Sequence, residues 1–326
     1  MRLILHFANL FLRGTALMLC LVGAVAGLAC LGGAFSDRLD ALAHAAPLWM
    51  ACSLLGLVLA LAASRDAERR ALVGVAALGV ASLLVLMAPE LSSILRPPEK
   101  PAKDAATLKL IQFNLWAENH DPEATAAWIL AQHADVVITE ESGGAAGPVV
   151  QALKKAYPYG TICRAKQGCD TRIHSRWPII DEHDVYGDGE HLASTWATLR
   201  HPRGDFTVVG AHFTWPIPAG RWQAQSRLLT GKLARFPKDS LILTGDFNST
   251  PWSWGLRRQD KALGLERRTH ALASWPTGEF SRLASAPFPV LPIDQVYAGK
   301  AWKTVKVERG PSLGSDHRPI VAILAR

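Results

Sequence analysis

The sequence has no glycine-rich dinucleotide fingerprint and no P-loop, which removes the two commonest nucleotide cradles from consideration. No internal repeat is visible, so a solenoid or propeller is not indicated. Its acids and histidines are not accompanied by an activated-serine elbow, which argues against serine proteolysis. A compact His/Cys spacing is also missing, which weakens a zinc-only site. Cysteine is scarce, five in 326 residues. Cys20, Cys30 and Cys52 lie in apolar runs as small hydrophobes. Cys163 and Cys169 flank the polar loop 164–168, and they form either a disulfide in an extracytoplasmic domain or two free thiols.

Charge is scarce too, but unevenly. Residues 1–95 are dominated by Ala, Leu, Val and Gly, whereas residues 96–326 carry dispersed charge. The whole chain has 35 Lys/Arg against 28 Asp/Glu, a net charge of +7. That excess suits a phosphate-bearing substrate without being diagnostic of nucleic acid.

Three apolar stretches, at about 14–35, 47–63 and 71–88, approach the roughly 20 residues a membrane-spanning helix needs. Each has no charge in its core and many Gly and Ala residues, which suit close helix packing in lipid. The first is too long for a simple cleaved signal peptide, and Gly27 and Leu28 before Cys30 do not fit lipoprotein processing. Arg2 and Arg13 precede the first stretch, and Arg65, Arg69 and Arg70 lie between the second and third. The intervening loop has only Arg38, balanced by Asp37 and Asp40. This bias predicts a multi-pass protein of the cell inner membrane, with a cytoplasmic N-terminus and the C-terminal part periplasmic or otherwise extracytoplasmic. If the third stretch is instead an amphipathic or buried helix, that part stays inside.

Residues 1–90 are thus read as a transmembrane region, residues 91–106 as a proline-rich linker, and residues 107–326 as a catalytic domain. Pro89, Pro97, Pro98 and Pro101 mark the boundary. Beyond it, strand-like runs at 108–115, 136–139, 195–200, 206–212, 240–245, 292–297 and 319–324 are interspersed with helical patterns at 122–132, 149–156 and 221–236. Many strands with helices between them predict an α/β sandwich.

Polar residues gather at the ends of these strands: Asn114, Glu141, His212, Asp246, Asn248, Asp294 and the pair Asp316-His317. Singly, each fits a turn, a cap or a packed histidine. Together they supply carboxylates that hold a hard cation through oxygen, and groups that activate water for phosphoryl hydrolysis. On an extended segment Asp246 and Asn248 would face one side while Phe247 turns into the core.

These pieces resemble the endonuclease/exonuclease/phosphatase superfamily, as a membrane-anchored bacterial-type member. The likeness is carried by Gln112-Phe113-Asn114, Asp135 through Glu141, Ser175-Arg176-Trp177-Pro178-Ile179, Gly210-Ala211-His212, Gly245-Asp246-Phe247-Asn248, Ile293-Asp294 and Gly314-Ser315-Asp316-His317. It spans nearly all of residues 107–326. It implies a DNase-I-like four-layer α/β/β/α sandwich, with the site at one rim of two stacked sheets.

The resemblance also implies roles. Glu141 becomes the principal ligand of Mg²⁺ or Mn²⁺, with Asn114 beside it and Asp316 completing the site directly or through water. Asp246 positions or deprotonates the attacking water, and Asn248 bonds the scissile phosphate or holds Asp246. His317, oriented by Asp294, and His212 contact phosphoryl oxygens. Glu140 is the less favoured ligand by register. Arg176, Trp215, Trp252, Arg257 and Arg258 are candidates for the substrate rim, where aromatic and basic groups would meet nucleic acid or a phospholipid headgroup. The implied activity is hydrolysis of a phosphodiester, nuclease-like. A phosphomonoesterase, a lipid-directed phosphodiesterase and an inactive membrane-bound binding protein stand as alternatives. No obligate protein partner is readable.

Overall fold

The computed structural model describes residues 2–95, 100–162, 170–184, 192–281 and 284–326. Cys163, Cys169, Pro97 and Pro98 lie outside the described residues, and so does the question of a disulfide. The chain divides into two compact units, Met1–Ser93 with Trp252–Gly255, and Ile94–Pro251 with Leu256–Arg326.

The first unit consists of α1 (Arg2–Gly32), the short α2 (Asp37–Asp40), α3 (Ala46–Ala63) and α4 (Asp66–Ile94). Three stretches, Leu3–Gly32, Asp37–Ala63 and Asp66–Ile94, are long and apolar enough to cross a membrane. They begin earlier than the sequence pattern predicted. Residues 3–12 are themselves mostly apolar and continue the first helix. Arg13 then falls inside it and pairs with Glu68, to which its Nε donates at 2.9 Å. Pro89 does not end α4, which runs through it to Ile94, so the first residues of the expected linker are helical.

Small residues let these helices approach. A Cβ on Gly23 of α1 or Gly79 of α4 would overlap Ser53 Oγ of α3, and one on Gly56 would meet the Cys20 backbone nitrogen at 2.8 Å. Lipid tails offer no hydrophobic drive between helices, so such close packing holds them together. Residues 252–255, which the sequence reading placed in the catalytic domain, belong to this unit. Trp252 Nε1 donates to the Ala43 carbonyl at 2.7 Å, and the Trp254 and Gly255 backbone nitrogens donate to the Asp40 carboxylate.

The second unit has fourteen strands and four α-helices among the described residues, the first two residues of the last helix belonging to the first unit. In order these are β1 (Thr107–Asn114), α5 (Pro122–Ala131), β2 (Val136–Glu140), α6 (Gly147–Ala156), β3 (Tyr159–Gly160), β4 (Arg172–Ser175), β5 (Ile179–Asp184), β6 (Ala193–Leu199) and β7 (Phe206–His212). There follow α7 (Arg221–Leu233), β8 (Ile242–Asp246), α8 (Trp254–Leu263), β9 (Glu266–Arg267), β10 (Gly278–Ser281), β11 (Ala284–Ala286), β12 (Asp294–Ala298), β13 (Lys303–Arg309) and β14 (Ile320–Ala325). One six-stranded sheet has the order β13-β14-β1-β2-β4-β3, the other β5-β6-β7-β8-β12-β9, and β10-β11 form a hairpin. β1 and β2 are parallel, joined by α5, and β7 and β8 are parallel, joined by α7; the remaining pairs are antiparallel.

The period-2 alternation of strands sorts the side chains into layers. Leu108 and Leu110 of β1, Val136 and Ile138 of β2, Val208 of β7 and Ile242 of β8 meet in a shared core between the sheets. Ile111, Phe113 and Val137 face the other way, onto Ile129 of α5 and Leu153 of α6. Val209 and Leu243 likewise face Trp222 and Leu229 of α7. The result is helix, sheet, sheet, helix. The same alternation continues to the strand ends, where the between-sheet positions change from apolar to polar: Gln112 and Asn114, Glu140, Asp246 and Asp294. Each is almost wholly buried.

Candidate active site

β1 delivers Asn114. Its Nδ2 donates to Glu141 Oε1 at 3.0 Å and to Asp246 Oδ2 at 3.1 Å, and its Oδ1 accepts from the Trp116 backbone nitrogen at 2.9 Å. β2 ends at Glu140, and the next residue, Glu141, takes a left-handed φ of 48°. That turn separates the two acids. Glu141 points to Asn114 and also accepts from the Ala117 nitrogen at 3.2 Å. Glu140 stays between the sheets, where Gln112 Nε2 donates to it at 3.0 Å and to Asp294 Oδ1 at 2.8 Å. Burial first, then the charge of Asp294, holds the Glu140 carboxyl well above the usual range.

Gly245, with a φ of 149°, precedes the central acid. A side chain there would overlap the Ala211 carbonyl of the adjacent β7, so only glycine lets β8 reach its end in this path. The Asp246–Asn248 segment is not a simple extended pair. Asn248 has a φ of 46°, and its backbone nitrogen donates to Asp246 Oδ1 at 2.8 Å in a side-chain-closed turn. Its Nδ2 donates to the Phe213 carbonyl at 2.9 Å and lies 3.3 Å from Asp246 Oδ2. Phe247 turns into the core as expected, fully buried.

Two imidazoles flank Asp246. His317 Nε2 lies 3.6 Å and His212 Nε2 3.7 Å from Asp246 Oδ2. Each ring is held from behind by a carboxylate: His317 Nδ1 meets Asp294 Oδ2 at 2.8 Å, and His212 Nδ1 meets Asp170 Oδ1 at 3.0 Å. Burial alone would favour neutral rings. The bond and charge of Asp170, with Asp246 and Glu141, override it and push His212 up to about 10. Asp294 and Asp246 do the same for His317, also to about 10. Burial raises Asp246 itself, against the pull of His317. Ser315 ties the last element in, donating to the Asn114 carbonyl at 2.8 Å and accepting from the His317 nitrogen at 3.0 Å.

The donor chemistry fits a hard divalent cation. Glu141 and Asp316 offer carboxylate oxygens, and Asp316 Oδ1 is buried with no hydrogen-bond partner among the described residues, whereas Asn114 turns its Nδ2 to Glu141 and its Oδ1 to Trp116 and would have to rotate its amide to join them. Asp316 Oδ2 accepts from Trp275 Nε1 at 2.9 Å. Asp246, Asp294 and His317 also bring ligand atoms within 4.8 Å of one another. A His317 held protonated, with Asp294 on its Nδ1, acts there as a donor rather than a ligand.

The family model described as the Endonuclease/Exonuclease/phosphatase family matches residues 111–317. The chain belongs to this family. No curated protein matches it in sequence. Among solved structures the fold is similar to that of SmcL, with a TM-score of 0.54 at 17% identity over 68% of this chain and 99% of that one. It is also similar to D. rerio TDP2 complexed with a single-strand DNA product, with a TM-score of 0.53 at 16% identity over 67% and 99%. A doubly substituted beta toxin from Staphylococcus aureus with bound magnesium ions gives 0.50 at 17% identity over 67% and 99%.

The structure thus brings Asn114, Glu141, His212, Asp246, Asn248, Asp294, Asp316 and His317 together at one end of the two sheets. The rim is different from the one the sequence suggested. Arg176 is exposed, and its nitrogen bonds the Asp135 carbonyl, at the opposite end of β2 from Glu141. Trp252 is buried with its indole on Ala43, a packed residue rather than a rim residue. Arg257 and Arg258 lie on α8, half-buried and exposed. Trp215 is joined to the site, its ring edge-on to Trp275 at 5.3 Å. Asp170 and Trp275 were not singled out from the sequence, and Gln112 was named only within Gln112-Phe113-Asn114, without a role. Asp170 follows no apolar strand, and its role depends on which histidine the fold places against it.

Proposed function

We propose that this family member hydrolyses a phosphodiester by in-line attack of water, with Mg²⁺ or Mn²⁺ as the metal. What supports this most is the Asp246 carboxylate, flanked by two histidines that are each backed by a carboxylate and adjoined by the Asn114–Glu141 pair. Asp246, one oxygen fixed by the Asn248 backbone, orients the attacking water and takes its proton. His212 and His317, kept cationic by Asp170 and Asp294, donate from Nε2 to the phosphoryl oxygens as the bond from water to phosphorus forms and the bond to the leaving alkoxide breaks, and one of them gives that alkoxide its proton. Glu141 and Asp316, with Asn114 beside them, would hold a divalent ion, which would supply further positive charge at the phosphate. Asn248 acts on this reading as a positioning group, since its amide is engaged by Phe213.

The three apolar helices support membrane association, and the arginine bias supports an inner-membrane protein with the catalytic unit on the periplasmic side. The test of the chemistry is hydrolysis of bis(p-nitrophenyl) phosphate by the full chain. Activity with Mg²⁺ or Mn²⁺ should vanish in EDTA and return on adding metal. Asp246→Asn should lower it by about 10²–10⁴, the scale of lost general-base action. Undiminished turnover after verified metal removal would rule the mechanism out.

A further inference from the structure

The rim beside His317 is built from three segments without a charged residue of their own, 213–220, 271–277 and 287–293; the sequence between the last two carries Glu279 and Arg282. They meet through Trp275. Its ring stands edge-on to Trp215, its carbonyl accepts from the Val290 and Leu291 nitrogens at 3.0 and 2.7 Å, and its indole nitrogen holds Asp316. One side chain therefore joins the catalytic carboxylates to the surface outside them.

That surface is apolar and solvent-facing. Trp215 is 49% exposed, Ile217 68%, Phe288 64% and Val290 47%. They are half of the exposed large hydrophobic side chains described after residue 100. Scattered single hydrophobes need no explanation, but several on adjoining loops mark a contact surface. The position of these loops at the mouth of a phosphate site narrows what that contact is. A polyanion would need Lys or Arg to neutralise its successive phosphates; these segments have none of their own, and the two arginines bonded to 271–277 are engaged with it, Arg309 on the Ala273 carbonyl at 2.7 Å and Arg318 on Thr277 Oγ1 at 3.2 Å. A phosphodiester bearing an alkyl or acyl chain needs the reverse arrangement, with polar groups at the phosphate and dry aliphatic and aromatic surface beside it. The presence in the same chain of three helices apolar enough to cross a membrane is consistent with an amphiphilic substrate.

We propose that the Trp215–Ile217 and Phe288–Val290 segments form a subsite for the hydrocarbon chain of an amphiphilic phosphodiester, with Trp275 linking that subsite to Asp316. The proposal rests on the phosphodiesterase reading above and names its substrate class. Burial of each methylene would contribute up to about fourfold in kcat/KM, the equivalent of about 0.8 kcal/mol per CH₂.

The test uses the full chain in peptide-stabilised discs with Mg²⁺, given p-nitrophenyl methyl, butyl and octyl phosphates below their micellar concentrations. A single-stranded DNA oligonucleotide is assayed in parallel. We expect kcat/KM to rise at least about tenfold from methyl to octyl. Trp215→Ser and Ile217→Ser should flatten that rise, their losses growing with chain length. Both side chains are largely in solvent, so the variants should fold. A flat series overturns the proposal while leaving the phosphodiesterase reading standing. So does an oligonucleotide that is the best substrate and loses its advantage in Trp215→Ser, because the rim would then be stacking bases. If every diester is inert with both Mg²⁺ and Mn²⁺, the reading of the site itself fails and takes the subsite with it.

Discussion

Between Glu140 and Glu141 the chain leaves β2, and the φ of 48° at Glu141 turns one carboxylate toward Asn114 while the other remains on Gln112. The sequence shows only two adjacent acids, and register with the family pattern was what favoured Glu141. The geometry gives the physical reason, since Glu140 is enclosed between the sheets and Glu141 is half-buried at their edge. Replacing Glu141 by Gln should raise the Mg²⁺ needed for half-maximal activity by about tenfold or more. Replacing Glu140 by Gln should shift it by less than about threefold, and a metal titration of the two variants side by side decides between them. Equal shifts would move the ligand role to Glu140. The histidine partners were legible to different degrees. Asp294 was visible after the apolar run Leu291-Pro292-Ile293, although it begins β12 rather than ending a strand, whereas Asp170 sits in irregular chain and is identified only by its 3.0 Å contact with His212. A second residue-scale prediction concerns His174, on β4 and away from the site. Burial, reinforced by Arg172 and Lys154, lowers it from 6.5 to about 4, and its Nε2 has no hydrogen-bond partner among the described residues. The folded chain resists protonating it, so its contribution is complete above pH 6.5 and lost as pH falls from there toward 4. Between pH 8 and pH 5 that loss is about 2 kcal/mol. A His174→Leu variant should therefore show a smaller fall in melting temperature over this range than the parent, measured by tryptophan fluorescence.

Elements with an apolar period were readable, and those without one were not. β1, β7, β8, β12 and β14 each alternate or run apolar, and the structure begins or ends them within two residues of the sequence reading. β13 was missed because its sequence, Lys303 through Arg309, mixes charges into an edge strand that has only one neighbour, β14. Edge strands carry such charges to discourage further pairing, which hides them from a hydrophobicity pattern. The β10-β11 hairpin was missed because its strands, four and three residues long, are too short to set up a period. The apolar helices err in the other direction. Their composition announces them, but their ends are set by partners such as Glu68, which lets Arg13 lie inside α1. Packing among them is where a prediction belongs. Gly79 has the Ala24 nitrogen at 2.9 Å from where a Cβ would stand, whereas Gly74, five residues earlier on α4, has nothing within 4 Å. Gly79→Leu should lower the melting temperature of the detergent-solubilised chain or cause aggregation, while Gly74→Leu should not. Similar tolerance at both positions would mean that these helices do not depend on close approach at Gly79.

For the whole molecule, the decisive property is which side of a membrane the catalytic unit occupies. Three helices of spanning length precede it, an odd number, so the unit and the N-terminus belong on opposite sides if all three cross. The charges nearest the helix ends set the direction, because Lys and Arg in short connections resist translocation. Arg65, Arg69 and Arg70 cluster where Asp37–Ala63 gives way to Asp66–Ile94, while the turn after α1 has Arg38 offset by Asp37 and Asp40. The pairing of Arg13 with Glu68 bears on this, since it removes one arginine from the count at the first helix without altering the bias of the later connection. The expected orientation keeps the Ser64–Arg65 connection in the cytoplasm and residues 100–326 outside. Alkaline phosphatase, which is active only outside, should therefore work when fused after Arg326 and fail when fused after Ser64. Green fluorescent protein, which fluoresces only when it folds inside, should give the complementary pattern. Replacing Arg65, Arg69 and Arg70 together by Gln should weaken the contrast between the two sites. If the Arg326 fusion reports cytoplasm while the Ser64 fusion reports outside, the arginines do not govern orientation, and a substrate on the cytoplasmic face becomes the one to seek.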